Sequence, residues 1–551
     1  MRIVIIGGVA AGTSAAAKAR RNGEENEIVI YEKGGYISYS GCGMPYYIGG
    51  EVKDAQLLTP RDPAFFKSKY NVDVLIRHEV LTVDPGQNKI RVKNIETGEV
   101  FEDRFDKLVI ATGAAATVPD IKGREQGNVF ILRTIEDMQK IKAFADGKMP
   151  KRAAIIGTGF VGMEMCENLK NIGVAVTLIE KQPGIMPWLD EDVAVYLKKH
   201  LIEKGVRLAI GAKVDRIEGD KVYFEGGQAD AEIVIISTGV KPDTDLAEQA
   251  GVALGTTGGI RVNDKMQTNL PDIYACGDCI EVYSVATGDA MYRPLGSTAN
   301  KTGRIAGDSL TGGGLAFRGV LGTGIFKIFD LTVARTGLSE GEARQKGTDV
   351  AVCHCIKPGR PEYLKGKEII IKAVADKKDG RLLGAQIVGF EGVDKRIDVF
   401  VTAITFGARA EDLFHLDLAY APPYSTTKDP VHYAGMILEN VIHGGRPMIT
   451  AADLRALLDS DTKVNLIDTR AEAQYKKGHI KTARSIPLAS LRESADELDR
   501  EAVAVTYCNK GVTGNAAQNL LKNKGFKKTF NLSGGYKNYS ANYPEDIQRE
   551  E

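Results

Sequence analysis

The stretch RAAIIGTGFVGMEMCENL (152–169) runs from an apolar strand through a glycine turn into a helix. Gly157, Gly159 and Gly162 fall in the G-x-G-x-x-G spacing, which lets a backbone approach a pyrophosphate at a helix N-terminus. The next strand, AVTLIEK (175–181), ends in Glu180, at the distance where a carboxylate accepts from an adenosine ribose. Glu180 repels a 2′-phosphate, so NADH is favoured over NADPH; Lys181 beside it works the other way.

A second copy of the pattern opens the chain. RIVIIGGVAAGTSAAAKARR (2–21) supplies Gly7 and Gly12, with Val9 in the middle glycine position and Gly8 beside it. EIVIYEK (27–33) then ends in Glu32 and Lys33, again placed for a ribose. Two such units, each with strand, helix and distal carboxylate, are far harder to obtain by chance than one. The 551 residues exceed a single core, and three or four domains are expected. Composition is that of a globular enzyme, 43% apolar and 26% charged. Lysine plus arginine (72) equals aspartate plus glutamate (72), so no bulk field draws nucleic acid or an anionic membrane. No run reaches the ~18 apolar residues of a membrane span, and the first residues enter a strand without room for a signal peptide. Seven thinly spread cysteines point to a reducing cytoplasm with a few working thiols, not a disulfide scaffold.

Further on, TNLPDIYACGDCIEV (268–282) sets Gly277 and Asp278 after a short strand, and LVIATGA (108–114) and VIISTGVKPDTDL (234–246) look like paired crossovers between domains. With the two fingerprints, these segments resemble the flavin disulfide reductases with two dinucleotide domains. The resemblance implies FAD on the outer domain, held by Gly7, Gly8, Gly12, Glu32, Lys33, Thr112, Gly113, Gly277 and Asp278. It implies NADH on the inserted one, held by Gly157, Gly159, Gly162 and Glu180.

In YISYSGCGMPYYIGG (36–50) the CxxxxC pair of such reductases is reduced to Ser38 and a solitary Cys42. With GMPYYIGG after it, the segment resembles the branch of coenzyme A disulfide reductases, NADH oxidases and NADH peroxidases. A thiolate is the working nucleophile, favoured by a helix N-terminus or a neighbouring cation. Without a second protein thiol, reduction must release something foreign from Cys42: a small thiol in a mixed disulfide, or the oxygen of a sulfenic acid. By resemblance, coenzyme A meets Ser14, Lys18, Arg21, Ser38, Lys69, Asn300 and Lys428, while Gly41 departs from the branch's side-chain amide. Lys18, Arg21 and Lys69 would serve the adenosine phosphates. The resemblance also implies a homodimer in which Tyr420, and Tyr363 in a poorer local match, reach the partner's flavin and cysteine. Cys276 and Cys279 frame the flavin segment without enough ligands for zinc, and Cys353 and Cys355 face one side of a strand as packing; no metal is expected.

After NVIHGGRPMI the pattern restarts as a unit of about 100 residues. It resembles a rhodanese domain in Asp468 with Arg470, Gly478–Ile480, Cys508 and the GGY at 534–536. In CNKGVT (508–513) successive amides can curl round the sulfur as an anion nest, with Lys510 as a local cation and Thr513 where many relatives carry arginine. The expected fold is α/β: two Rossmann-like domains of glutathione-reductase type, an α+β dimerisation domain and a C-terminal α/β rhodanese domain. The expected boundaries are 1–115 with 270–322 for FAD, 116–269 for NAD, 323–446 for dimerisation and 447–551 for rhodanese. The expected activity is NADH-dependent reduction of coenzyme A persulfide, polysulfide or coenzyme A disulfide through a Cys42–S-CoA mixed disulfide, with Cys508 carrying sulfane sulfur. Open beside it stand an NADH oxidase or peroxidase using a Cys42 sulfenic acid, and a sulfurtransferase or redox-sensing carrier.

Overall fold

In the computed structural model, which describes residues 1–550, each glycine fingerprint lies where a central strand turns into a helix. The chain divides into two units: Met1–Pro183 with Gly205–Val320, and Gly184–Lys204 with the residues from Leu321 onward.

The first unit holds two five-stranded parallel sheets. In one, Arg2–Ile6 lies between Glu27–Glu32 and Lys107–Ile110, with Asp73–Ile76 and Ile273–Ala275 at the edges. In the other, Arg152–Ile156 lies between Ala175–Glu180 and Ile233–Ile236, flanked by Arg207–Ile210 and Val129–Ile131. Strands covered on both faces must be apolar throughout; Ile3, Val4 and Ile5 are fully buried, as is Ile155. Both sheets reverse their winding beside the fingerprint strand, where a crevice for ligands opens. The two crossovers pair with each other as antiparallel Ala114–Ala116 and Val240–Pro242.

Small residues bring two helices of this unit into near backbone contact. Along Ala10–Asn22 and Gly296–Ser309, Gly303 and Gly307 face the carbonyls of Ala11 and Ala15, where an added Cβ would lie 2.2 Å from each oxygen. That approach seats Asn300 beside Ser14.

The second unit contains a five-stranded antiparallel sheet and a five-stranded parallel one. The antiparallel order ends with Val350–Pro358 as an edge strand beside Glu368–Asp376. The parallel sheet, from Met448–Ile449 to Arg484–Ser485, has Val503–Tyr507 at its centre. The helix Glu191–Glu203, within the stretch 116–269 expected for the inserted domain, packs in this second unit. Charge fixes it there: the buried Lys372 ammonium meets Asp192 at 2.8 Å, Glu340 at 2.8 Å and Asp190 at 3.1 Å. His354 bonds Asp192 at 2.8 Å through Nε2 and Ser533 at 2.9 Å through Nδ1. Cys353 and Cys355 are buried against the helix Pro430–Ile442, as same-side packing requires.

Candidate active site

Each glycine of the clean fingerprint has a separate task. Gly157 has φ +101°, and a Cβ there would lie 2.5 Å from the Ser237 carbonyl oxygen. At Gly162 a Cβ would lie 2.2 Å from the Gly157 oxygen, so this glycine lets helix and strand close together. At Gly159 a Cβ would meet nothing within 4 Å; this is the open face a pyrophosphate approaches. Glu180 accepts from the Thr158 amide at 3.1 Å and hydroxyl at 2.9 Å, and from the Gln182 amide at 2.9 Å. Glu32 repeats the arrangement, taking the amides of Gly8 and Gly34 at 2.7 Å each. Lys33 pairs with Asp243 at 3.5 Å, and Thr112 donates to the Asp243 carbonyl at 2.6 Å. The Gly113 carbonyl accepts from the Asp243 amide at 3.0 Å.

Cys42 lies on the 3₁₀ turn Gly41–Gly43, which leads into the short helix Met44–Ile48. The turn is tied to the first fingerprint through the Ser38 amide, which donates to the Gly8 carbonyl at 2.8 Å. Cys42 is free and exposed, whereas Cys166, Cys276, Cys279, Cys353, Cys355 and Cys508 are free and buried. The surroundings of Cys42 raise its thiol rather than favour the thiolate. Loss of water around the sulfur pushes the thiol up, the carboxylates of Glu164 and Asp278 push the same way, and Arg133 opposes them.

Glu164 and Arg133 were not singled out from the sequence. Burial and then Glu167 push the Glu164 carboxyl up to about 7, and its charge is felt by both Cys42 and Tyr46. An acid two residues past Gly162, on a helix that buries Met163, Met165 and Cys166 together with Glu167 and Asn168, is the signal that could have found it. Arg133 pairs with Asp278 at 3.1 Å and donates to the Ala114 carbonyl at 2.9 Å.

Of the residues expected to meet coenzyme A, several converge. Ser14 donates to Asn300 Oδ1 at 2.8 Å. The Arg21 guanidinium lies 5.8 Å from the Tyr70 ring, and Lys69 Nζ lies 5.2 Å from Phe65 and 5.7 Å from Tyr70. Arg61, missed from the sequence, joins them 5.7 Å from Phe65 and reaches Ser38 Oγ at 3.4 Å. Lys18 departs from the expectation of a phosphate cation: it pairs with Asp308 at 2.9 Å, an interaction internal to the fold. Burial would raise the Asp308 carboxyl, but Lys18, the Leu315 amide and Asn22 outweigh it and bring it to about 2.

In the second unit Tyr363 and Tyr420 are exposed, as is Lys428. The loop of Tyr420 and Lys428 is fixed from beneath: buried Arg396 holds Asp429 at 2.9 Å and the Tyr424 carbonyl at 3.4 Å. Cys508 directly follows the strand Val503–Tyr507, and the Gly511 amide donates to its sulfur at 3.2 Å. Among the described residues that single amide takes the place of the expected wrap of several. Lys510 does not stand as a free cation either, because it and Lys537 both bond Glu368. Buried Arg470 and Asp468 pair at 2.6 Å below the loop.

Family models match along most of the chain: pyridine nucleotide-disulphide oxidoreductase over 1–294, its dimerisation domain over 324–430, and a rhodanese-like domain over 450–542. The chain belongs to the pyridine nucleotide-disulphide oxidoreductase family. Within it, the chain is similar to a protein named NADH oxidase from Methanocaldococcus jannaschii, 37% identical over 79% of this chain and 98% of that one. The solved structure of reduced Bacillus anthracis CoADR-RHD superposes with a TM-score of 0.96 at 38% identity, covering 99% of both chains. A NAD-dependent persulfide reductase from A. fulgidus superposes with a TM-score of 0.90 at 37% identity, covering 98% of this chain and 100% of that one.

This oxidoreductase family uses FAD and NAD(P)H, and the residues present fit both. The open face at Gly159 and the anchored Glu180 suit a nicotinamide dinucleotide. The Glu32 cradle and the Asp278–Arg133 pair suit the adenosine and ribityl ends of a flavin. Among the described residues no group of three or more His, Cys, Asp or Glu side chains is placed to hold a metal.

Proposed function

We infer that this chain is an FAD-dependent NAD(P)H oxidoreductase that reduces sulfur–sulfur bonds on coenzyme A, as persulfide, polysulfide adduct or disulfide. The observation that carries the reading is the solitary exposed thiol of Cys42, tied to the first nucleotide turn and followed in the chain by a rhodanese domain that keeps its cysteine. FAD, when bound, supplies the electron pair, taken from NADH, that cleaves a Cys42–S-CoA bond.

The chain's own residues do the rest. Cleavage returns the Cys42 thiolate and one CoASH. The thiolate attacks the inner sulfur of CoA-S-SH, forms Cys42–S–S-CoA and expels hydrosulfide. The balance is CoA-S-SH + NADH + H⁺ → CoASH + H₂S + NAD⁺. Glu164, with its carboxyl near 7, holds a proton close to the sulfur at neutral pH. Arg21, Lys69 and Arg61 hold the phosphates of the coenzyme, and Ser14 with Asn300 holds its polar arm. Exposed Tyr420 and Tyr363 serve the flavin and cysteine of the partner in a homodimer. NADH is the preferred donor, through Glu180. No helix among the described residues is long and apolar enough to cross a membrane, and the reduced thiols fit a cytoplasmic enzyme.

Mass spectrometry of the purified chain tests this reading. A coenzyme A adduct on Cys42, removed by NADH, is expected, and Cys42→Ser should abolish NADH-driven reduction of coenzyme A persulfide. Turnover that survives Cys42→Ser would overturn it. The relative named NADH oxidase favours a second reading, oxygen reduction through a Cys42 sulfenic acid; trapping of a dimedone adduct in place of coenzyme A would select it.

A further inference from the structure

Two glycines stand between the antiparallel sheet of the second unit and the cysteine of the rhodanese segment. Gly534 and Gly535 have φ +71° and +60°. A Cβ on Gly534 would lie 3.1 Å from the His354 Cβ, and one on Gly535 would lie 2.4 Å from the Cys508 carbonyl oxygen. Glycine alone is at ease with such φ and such close approach. The backbone at 534–535 therefore touches the edge strand Val350–Pro358 on one side and the cysteine loop on the other.

Hydrogen bonds lock both sides. The His354 amide donates to Ser533 Oγ at 2.8 Å, and His354 Nδ1 bonds the same oxygen at 2.9 Å. Asp192 accepts from Nε2 at 2.8 Å, which in the neutral ring leaves Nδ1 to take the Ser533 hydroxyl proton. Ser533 is fully buried and His354 nearly so, hence no water replaces a lost bond. On the other side the helix Gly535–Asn542 starts without a side-chain cap. Its Tyr536 and Lys537 amides donate instead to the carbonyls of Cys508 at 2.8 Å and Asn509 at 3.1 Å. In a planar trans peptide the carbonyl and the next amide point opposite ways. The Asn509 and Lys510 amides therefore turn away from that helix. Among the described residues they donate to nothing, while the Gly511 amide bonds the sulfur.

We propose that His354, oriented by Asp192, is a positioning residue of the Cys508 site: through Ser533 and the two glycines it sets the loop whose free amides receive a terminal persulfide. The edge strand Val350–Pro358 thus completes the sulfur centre of the rhodanese segment. This rests on the reading of Cys508 as a sulfur carrier. Glu368 pairs in register with Pro358, four residues on from His354 and so on the same sheet face, and it steadies the contact by bonding Lys510 and Lys537. Loading from an inorganic chain is Cys508–S⁻ + S₄²⁻ → Cys508–S–S⁻ + S₃²⁻. One sulfur–sulfur bond breaks, one forms, and the trisulfide keeps the electron pair. Discharge is Cys508–S–S⁻ + CN⁻ → Cys508–S⁻ + SCN⁻, in which a carbon–sulfur bond forms and the Cys508 thiolate keeps the pair. Both steps need the outer sulfur held in line, which oriented amides provide.

The test uses full-length protein: wild type, His354→Asn, His354→Gln and Ser533→Ala, with thermal melts to verify folding. Asparagine sets its amide near the Nδ1 position and keeps the Ser533 bond; glutamine sets it near Nε2 and keeps only Asp192. In sulfur transfer from inorganic tetrasulfide to cyanide, kcat should fall about tenfold in His354→Gln and Ser533→Ala, with the KM for tetrasulfide little changed. His354→Asn should recover most of that kcat, although it melts lower for want of the Asp192 bond. NADH-driven reduction of coenzyme A disulfide should be equal in all of them. Iodoacetamide trapping of Cys508, read on its peptide by mass spectrometry, should slow in His354→Gln and Ser533→Ala. Transfer unchanged in those two folded variants would overturn the proposal, and so would a loss in His354→Asn as large as in His354→Gln. A wild-type chain that transfers no sulfur would overturn instead the reading of Cys508 as a carrier, with the trapping rates still reporting on the loop.

Discussion

Two carboxylates face the exposed sulfur of Cys42, and their effect has a definite sign. A neighbouring anion opposes formation of a thiolate, so the Cys42 thiol is held up by Glu164 and Asp278 as well as by lost hydration. Glu164 itself titrates near 7, so its obstruction grows as pH rises through neutrality. Replacing it with glutamine removes the charge and keeps the shape. We expect Glu164→Gln to speed iodoacetamide trapping of reduced Cys42 by about three- to tenfold between pH 7.5 and 8.5, in keeping with a drop of up to about one pKa unit. Below about pH 6, where Glu164 is already protonated, variant and parent should converge. Equal rates at both ends of that range would remove Glu164 from the account of Cys42. Asp278 is the less useful target, because its partner Arg133 would be left with an altered charge balance.

At the scale of single elements, two features set stability. The helix Glu191–Glu203 is held by Asp192, whose carboxyl is raised by burial but brought well below its usual range by His354 and Lys372. Its folded value lies under its unfolded one. The stabilisation is therefore complete above about pH 5 and is lost as pH falls through and below about 4. Asp192→Asn should cost about 3 kcal/mol near pH 7 by leaving the buried Lys372 short of a partner. Denaturant midpoints should show that gap narrowing between about pH 5 and pH 3; a gap constant across that range would mean the charge is not the source. The other feature is the close pair of helices Ala10–Asn22 and Gly296–Ser309. A methyl group at Gly303 would sit 2.2 Å from the Ala11 carbonyl oxygen, so the helices must part. Gly303→Ala should cost roughly 2 kcal/mol and raise the KM for coenzyme A disulfide by separating Ser14 from Asn300. Gly296→Ala, with open space around it, should change the melting temperature little.

The whole chain combines a reductase with a rhodanese-like domain, and within the second unit the join is chemical as well as covalent. The edge strand Val350–Pro358 is covered where the His354 amide meets Ser533, and Glu368 bonds Lys510 and Lys537 from the rhodanese segment. An uncovered edge is a template for pairing with other chains. Ending the chain at residue 446 should spare NADH-driven reduction of coenzyme A disulfide, abolish sulfur transfer from tetrasulfide to cyanide, and increase self-association measured by light scattering. A truncated chain as monodisperse as the parent would show that the covering matters less to solubility than the edge geometry implies.

Rules that act over a few residues made much of this protein legible in advance. Glycine spacing fixed both strand–turn–helix units, apolar runs fixed the buried parallel strands, and one cysteine in place of a pair implied a foreign group on its sulfur, a small thiol or an oxygen. The rhodanese unit announced itself by resemblance, through Asp468, Arg470 and Cys508. Charges followed a different rule, because Coulomb energy depends on separation in space and on local water. Lys18 reads as a phosphate cation until Asp308, far along the chain, is seen to bind it, and Lys510 until Glu368 does. The thiolate of Cys42 reads as the working nucleophile, and only the fold shows lost hydration, then Glu164 and Asp278, opposing it. Arg61, Arg133 and Glu164 gained their places only from folding, which brings together side chains that no sequence spacing relates.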